Sequence, residues 1–210
     1  MKVKGSDLDK MERRYRANLV NSITGVKPAN LIGTRSSKGE DNLAIFSSVV
    51  HLGSDPAQIG MITRPQKPHL KDTYYNLTET GYYTINQISS AFIKQAHYTS
   101  AKLNRKDSEF DLMNLERQFL DNFHAPFVLV SPVKIGMNFL KELELPNGCS
   151  LIIGEVCLIQ INEEYVSEEG HIDLAAYDGV GISGLNSYYA LEKLASFPYA
   201  KADQIPDFNA

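Results

Sequence analysis

Short apolar runs broken by polar punctuation fill most of the 210-residue chain, a pattern of many brief strands and few helices. Runs at 29–35, 42–50 and 57–63 read as strands, the first two joined by a turn at Lys38 and Gly39. Tyr82 to Ile88 alternates as a further strand. Apolar character fades over 105–123 and returns in PFVLVSPVKIG from Pro126. Pro146, Asn147 and Gly148 then mark a hairpin whose second strand, Cys149 to Ile161, is long enough to bend around a barrel. Besides a polar, irregular helix with loops at 105–123, helices are read at four places: Leu8, Met11, Tyr15 and Leu19, with Ser6 or Asp7 as cap; 73–80, stopped by Gly81; Ser90 to Tyr98; and 185–196, through Leu185, Tyr188, Tyr189, Leu191 and Leu194. The tail from Pro198 reads as loop. Such a pattern predicts a mainly β chain, closed into a barrel that removes sheet edges. It has a helical flank at 1–24, a covering helix and loops at 105–125, and a helix and tail at 185–210, all within one domain spanning 1–210.

Charge and composition narrow what such a barrel does. Net charge is −4 and no basic stripe is present beyond Arg13, Arg14 and Arg16, so a nucleic-acid footprint is missing. No apolar run approaches the roughly 20 residues that cross a bilayer, and no charged segment followed by an apolar one opens the chain, so a cytoplasmic protein without a membrane partner is expected. The triplet Asn76, Leu77, Thr78 then carries no glycan. Cys149 and Cys157 have neither zinc nor redox-pair spacing and read as buried small hydrophobes. His51, His69, His97, His124 and His171 show no paired spacing, so no metal site is expected. Gly179, Gly181 and Gly184 spell the dinucleotide fingerprint, but no second strand with an acidic residue follows about 20 positions on.

Chemistry concentrates between Asn30 and Asn86. Ser47 and Ser48 follow the apolar run Leu43 to Phe46, where a strand emerges from the core. Arg64 ends the run from Ile59 and is halted by Pro65, which cannot extend a ladder. Lys67 and Lys71 precede the helix at 73–80, with Asp72 or Thr73 as its cap. Small hydroxyls, cations and a helix N-terminus together suit a monophosphate, which carries close to two negative charges. On this reading Ser47, Arg64 and Thr73 converge on one rim.

These residues resemble the flavin reductase-like, FMN-binding split-barrel family. The likeness rests on NLIGTRSSKGEDNLAIFSSV (30–49), IGMITRP with KDTYYNLTETGYYTIN, AHYTSAKLNRKDSEFD (96–111), NGCSLIIGEV (147–156) and GISGLNSYYAL (181–191). It covers roughly residues 25–200. It implies a Greek-key split barrel with flanking helices, holding FMN across a barrel mouth. The phosphate would lie near Ser47, Arg64 and Thr73, with Asn42 and Lys67 alongside. Backbone amides around Ser48 and Val49 would face the pyrimidine edge, and His97, Thr99, Ser100 and Ala101 would line the ring. No protein residue would be catalytic, because the flavin carries the redox chemistry. The glycines at 179–184 become a turn leading into the last helix.

The resemblance further implies an oxidoreductase, usually a homodimer in which the second subunit helps enclose the flavin. As an NAD(P)H-dependent reductase it would pass electrons to flavin, a ferric chelate or another small-molecule acceptor. Two alternatives stay open: a flavoredoxin-like FMN carrier serving a redox protein, and a split barrel that binds a ligand without turnover. Short two-component reductases carry Gly-Asp-His late in the chain, where Gly170, His171 and Asp173 stand differently here. Longer relatives read Tyr-Ala-Arg-Pro where this chain has Tyr199, Ala200, Lys201 and Ala202. NAD(P)H as co-substrate is therefore expected without a residue assignment.

Overall fold

The computed structural model describes residues 1–68, 71–104 and 106–208. His69, one of the five histidines surveyed above, and Arg105, which opens the predicted covering segment, lie outside the described residues. In chain order the strands are β1 (Lys27–Pro28), β2 (Asn30–Arg35), β3 (Asp41–Phe46), β4 (Val49–Ser54), β5 (Ala57–Thr63), β6 (Tyr82–Gln87), β7 (Arg117–Gln118), β8 (Phe127–Val128), β9 (Val133–Glu144), β10 (Ser150–Ile161), β11 (Val180–Ser183) and β12 (Ser187–Ala190). The helices are α1 (Gly5–Leu8), α2 (Arg13–Ser22), α3 (Asp72–Thr80), α4 (Ile93–Tyr98) and α5 (Glu109–Leu112).

Seven strands form one antiparallel ladder in the order β3-β2-β6-β9-β10-β5-β4. Its two end strands, β3 and β4, are joined in sequence by only Ser47 and Ser48, so the sheet has to curl round until its ends meet. Long strands allow the curl, and β10 makes it with register shifts at Ile153/Gly154 and Val156/Leu158. No ladder links β3 to β4 among the described residues. The barrel is therefore split rather than closed, and the predicted loss of all sheet edges is corrected: two edges face the gap.

Alternation along the strands gives each face its own core. Ile32, Tyr83, Ile85, Met137 and Ile152 fill the barrel interior with Met61, and Leu77 of α3 reaches in among them. Leu31, Leu43 and Ile88 point outward into a second cluster with Ala96 of α4, Phe110 of α5, and Val180 and Ile182 of β11. Helix α3 thus closes the barrel, while α4, α5 and β11 cover one flank of it.

Several expected elements change. The predicted strand at 42–50 breaks at Ser47 and Ser48, where the chain leaves one end of the ladder for the other. The single N-terminal helix is two, because Glu12 caps α2 by accepting from the Arg14 and Tyr15 amides, and Lys4, not Ser6 or Asp7, is the N-cap of α1. Lys71 replaces Asp72 or Thr73 as the N-cap of α3, with no side-chain cap bond. The covering segment has one short helix, α5, and a two-strand ribbon, β7 with β8.

The predicted helix at 185–196 is instead the hairpin β11–β12. Its turn is opened by Gly184 at φ +64°, and Ile182 pairs with Tyr188. Residues that recur at helical spacing are captured here by an available strand partner, so tertiary pairing overrides the local pattern. Consequently the glycines at 179–184 lead into a strand. Cys157 is exposed and Cys149 half-buried, so neither is the buried hydrophobe expected. The Cys157 thiol instead donates to the Gly136 carbonyl across a bulge, at 3.2 Å.

Candidate functional site

Hydrogen-bond alternation fixes which amides face the gap. Ile62 N–H donates to the Ser48 carbonyl at 3.0 Å, which makes Val49 and Met61 a pair without mutual hydrogen bonds. Val49 therefore aims its own N–H and C=O away from β5, toward the gap. On β3, Leu43 N–H donates not to β2 but to Glu109 Oε2 at 3.1 Å, so Leu43 and, by the same alternation, Ile45 present their amides at the free edge. The two free edges meet at the Ser47–Ser48 corner.

Opposite the corner, at the start of β3, a polar cluster joins strand to helix. Asn42 Nδ2 donates to Thr73 Oγ1 at 2.9 Å and lies 3.4 Å from Thr34 Oγ1, which also accepts from Asn76 Nδ2 at 3.2 Å. Thr73 and Asn76 are buried. Because Thr73 accepts from Asn42, its hydroxyl hydrogen remains to donate. With no side chain capping α3, the first-turn amides beside Thr73 also lack an intrahelical acceptor. Gln66 braces the approach: its side chain donates to the Arg64 carbonyl and accepts from Lys71 N–H at 2.9 Å. Arg64 and Lys67 are exposed on this loop.

The structure thus brings Asn42 to Thr73, and places Ser47, Ser48 and Val49 beside the strand that leads into Arg64. It does not put Thr73 next to Ser47. Thr73 is bonded to Asn42 at the start of β3 and Ser47 follows its end, and Asn42 and Ser47 are about 16 Å apart at the usual strand rise. Along β3 these donors form a track, with Thr73 at its start and Ser47 after its end, and Gln66 ties the Arg64 loop to the start of α3.

On the covered flank, α4 packs against β3 through Ala96 and Leu43. The hydroxyls of Thr99 and Ser100 donate to the carbonyls of Ala96 and His97 in their own helix, at 2.8 and 2.7 Å, and Ala101 N–H donates to the Tyr98 carbonyl. These three residues therefore form the closing turn of α4. His97 Nδ1 sits 3.0 Å from the Tyr188 hydroxyl of β12, and the two side chains line an open cleft of about 420 Å³ with Ser90, Lys94 and Asn186. Burial pushes the Tyr188 phenol up.

Glu109 is the functional candidate that the sequence reading missed. It is buried, and burial pushes its carboxyl up from 4.5; nearby Asp72 adds to the rise, while the bond from Leu43 opposes it. An ionic clamp holds its segment in place. Arg117 Nε is 2.8 Å from Asp41 on β3, and Arg117 Nη1 is 2.6 Å from Asp111 of α5. Burial raises the Asp41 carboxyl against the pull of Arg35 and Arg117, whereas Arg117 holds that of Asp111 low. No local signal could find Glu109, because its partner lies 66 residues upstream.

Among the described residues no His, Cys, Asp and Glu cluster could hold a metal ion, and no helix is long and apolar enough to cross a membrane. A family profile, the flavin reductase like domain, matches residues 26–179. The chain is 41% identical to a solved structure assigned as a flavin reductase with split barrel domain from Shewanella frigidimarina NCIMB 400; the match covers 95% of this chain and 100% of that one, with a TM-score of 0.91. The flavoredoxin of Desulfovibrio vulgaris (Miyazaki F) shares the fold at a TM-score of 0.72 and 23% identity, over 83% of this chain and 92% of that one. An uncharacterized protein, YwrF, of Bacillus subtilis (strain 168) is 24% identical over 170 residues, covering 78% of this chain and 83% of the relative. The profile over most of the chain, and the relative matched along its whole length, place this protein in the flavin reductase like family, with that family's split-barrel fold.

Proposed function

We propose that the chain is an FMN-binding oxidoreductase that takes electrons from NAD(P)H and delivers them to a small-molecule acceptor. One observation carries the reading: a track of outward-facing amides and hydroxyls runs along the free edges of β3 and β4 and ends at the uncapped N-terminus of α3. The donor set fits the cofactor. First-turn amides of α3, the Thr73 hydroxyl that Asn42 orients, and the cations of Arg64 and Lys67 suit a phosphate. The amides of Ile45 and Val49 and the hydroxyls of Ser47 and Ser48 suit a polar ring edge, where donors stabilise negative charge. When bound, FMN supplies the hydride chemistry that no side chain offers.

The chain's own residues bind and orient. Glu109 occupies the Leu43 amide, so the donors left on the edge are those nearer the Ser47 corner. The Arg117 clamp keeps the α5 cover against β3 and shields that edge from water. His97 and Tyr188 stand as a hydrogen-bonded pair lining the open cleft on the covered flank.

The absorption spectrum of the purified protein, followed by anaerobic mixing with NADH and with NADPH, tests this reading. Flavin bands that bleach within seconds are expected. A protein that binds no FMN contradicts it, and a yellow protein that neither nucleotide bleaches shifts the assignment to an FMN carrier for a redox protein.

A further inference from the structure

We propose that the chain carries a second binding site, a pocket between the start of β2 and the β1–β11 pair, which takes an uncharged monocyclic carbonyl compound such as an aryl ketone, with Asn30 donating to the carbonyl. The pocket has a volume of about 260 Å³. Ala29, Ile88 and Val180, all buried, line its inner part, and the more open Val26, Leu174 and Leu191 line its rim. None of the residues lining it belongs to the track along β3 and β4.

One buried group calls for a ligand. Asn30 lines the pocket, is only 2% exposed, and its Nδ2 has no hydrogen-bond partner among the described residues. Buried amides are nearly always paired, since a donor taken from water without an acceptor destabilises the fold. Its ladder partner Gln87 does not supply one, because the Gln87 side-chain oxygen accepts from the Tyr177 hydroxyl. The missing acceptor therefore falls to whatever fills the pocket.

Size and charge choose the occupant. A cavity of about 150 Å³ takes benzene, so this one has room for a six-membered ring with a few further heavy atoms. Apolar walls with a few placed polar groups are the usual make-up of a small-molecule pocket. An anion is not favoured, because Lys27, the cation on the rim, gives its ammonium to the Asn21 carbonyl at 2.6 Å. Burial pushes the Tyr177 phenol up to about 12, so that wall stays uncharged as well. Water would satisfy Asn30 but wet the apolar walls. A neutral ring with one carbonyl matches the walls and the donor together.

NMR titration of the full-length chain with acetophenone, ethylbenzene and benzoate, in the presence of excess FMN, tests this. Acetophenone should shift the Asn30 side-chain amide resonances. Ethylbenzene, which lacks the acceptor, should bind at least about tenfold more weakly, and benzoate not measurably. Leu174→Trp, on the exposed rim, should weaken acetophenone at least about tenfold by narrowing the entrance, and Asn30→Ala should bring acetophenone down to the level of ethylbenzene. Wild type that binds none of the three holds only water there, which overturns the proposal. It is overturned equally by ethylbenzene or benzoate binding as well as acetophenone, or by a Leu174→Trp variant that binds as the wild type does. Should Asn30→Ala not fold, the three probes and Leu174→Trp decide. The readout is the Asn30 amide and not the flavin, so a protein that binds no FMN leaves this test intact.

Discussion

Arg64 and Glu109 bracket the chemistry of the track from opposite sides. Arg64 is an exposed cation at the end of β5, next to the corner that Ser47 and Ser48 form. Its replacement by alanine should weaken FMN binding by about 1–3 kcal/mol, the scale of a charge-assisted contact, with little change in melting temperature. Fluorescence titration with FMN checks this, and undiminished affinity removes Arg64 from the site. Glu109 makes a prediction in pH. Its folded carboxyl titrates above the ordinary value of 4.5, so the folded state holds the proton more tightly than the unfolded chain does. Ionising it costs stability, a cost absent below about pH 4.5 and complete once pH passes the raised folded value. Glu109→Gln keeps an acceptor for Leu43 without a charge. Its melting temperature relative to wild type should therefore climb as pH rises through that window. A difference independent of pH would show that Glu109 is not held against ionisation.

Element by element, legibility follows whether the determinant is local. The hairpin at Pro146, Asn147 and Gly148 was readable because its turn chemistry is its cause: Gly148 has φ +76° and Asn147 accepts from Cys149 N–H. Helix α3 ends as read, with Gly81 at φ +81°. The segment after Gly184 has no such local cause: Tyr188 and Tyr189 suit helix or strand, and only pairing with β11 decides. In the proposed site, the donors of Asn42 and Thr73 are evident from residue type, but the corner at Ser47 and the cover from Glu109 depend on partners distant in sequence. Gly33 belongs to this class. A Cβ there would sit 2.3 Å from the Pro126 carbonyl oxygen and 2.5 Å from Thr84 Oγ1, where the segment entering β8 crosses β2. Gly33→Ala should destabilise the fold by about 1–3 kcal/mol in denaturant unfolding, since backbone has to give way. A neutral effect would mean that the crossing is loose.

At the scale of the whole molecule, one topological fact organises the rest. A seven-strand ladder whose ends are joined by two residues has to curl without closing, and the gap exposes the backbone donors that a sealed barrel would have consumed. Helix α3 closes the barrel and begins beside Asn42 of β3 with no side-chain cap, while α4, α5 and β11 cover the flank beyond it. The account's central claim is that this track binds an elongated ligand by its anionic end as well as by its ring. Calorimetric titration with FMN and with riboflavin, which lacks the phosphate, tests that claim most directly. FMN should bind at least tenfold more tightly, and Arg64→Ala should narrow the difference. Equal affinities for the two, or no binding of either, would contradict it.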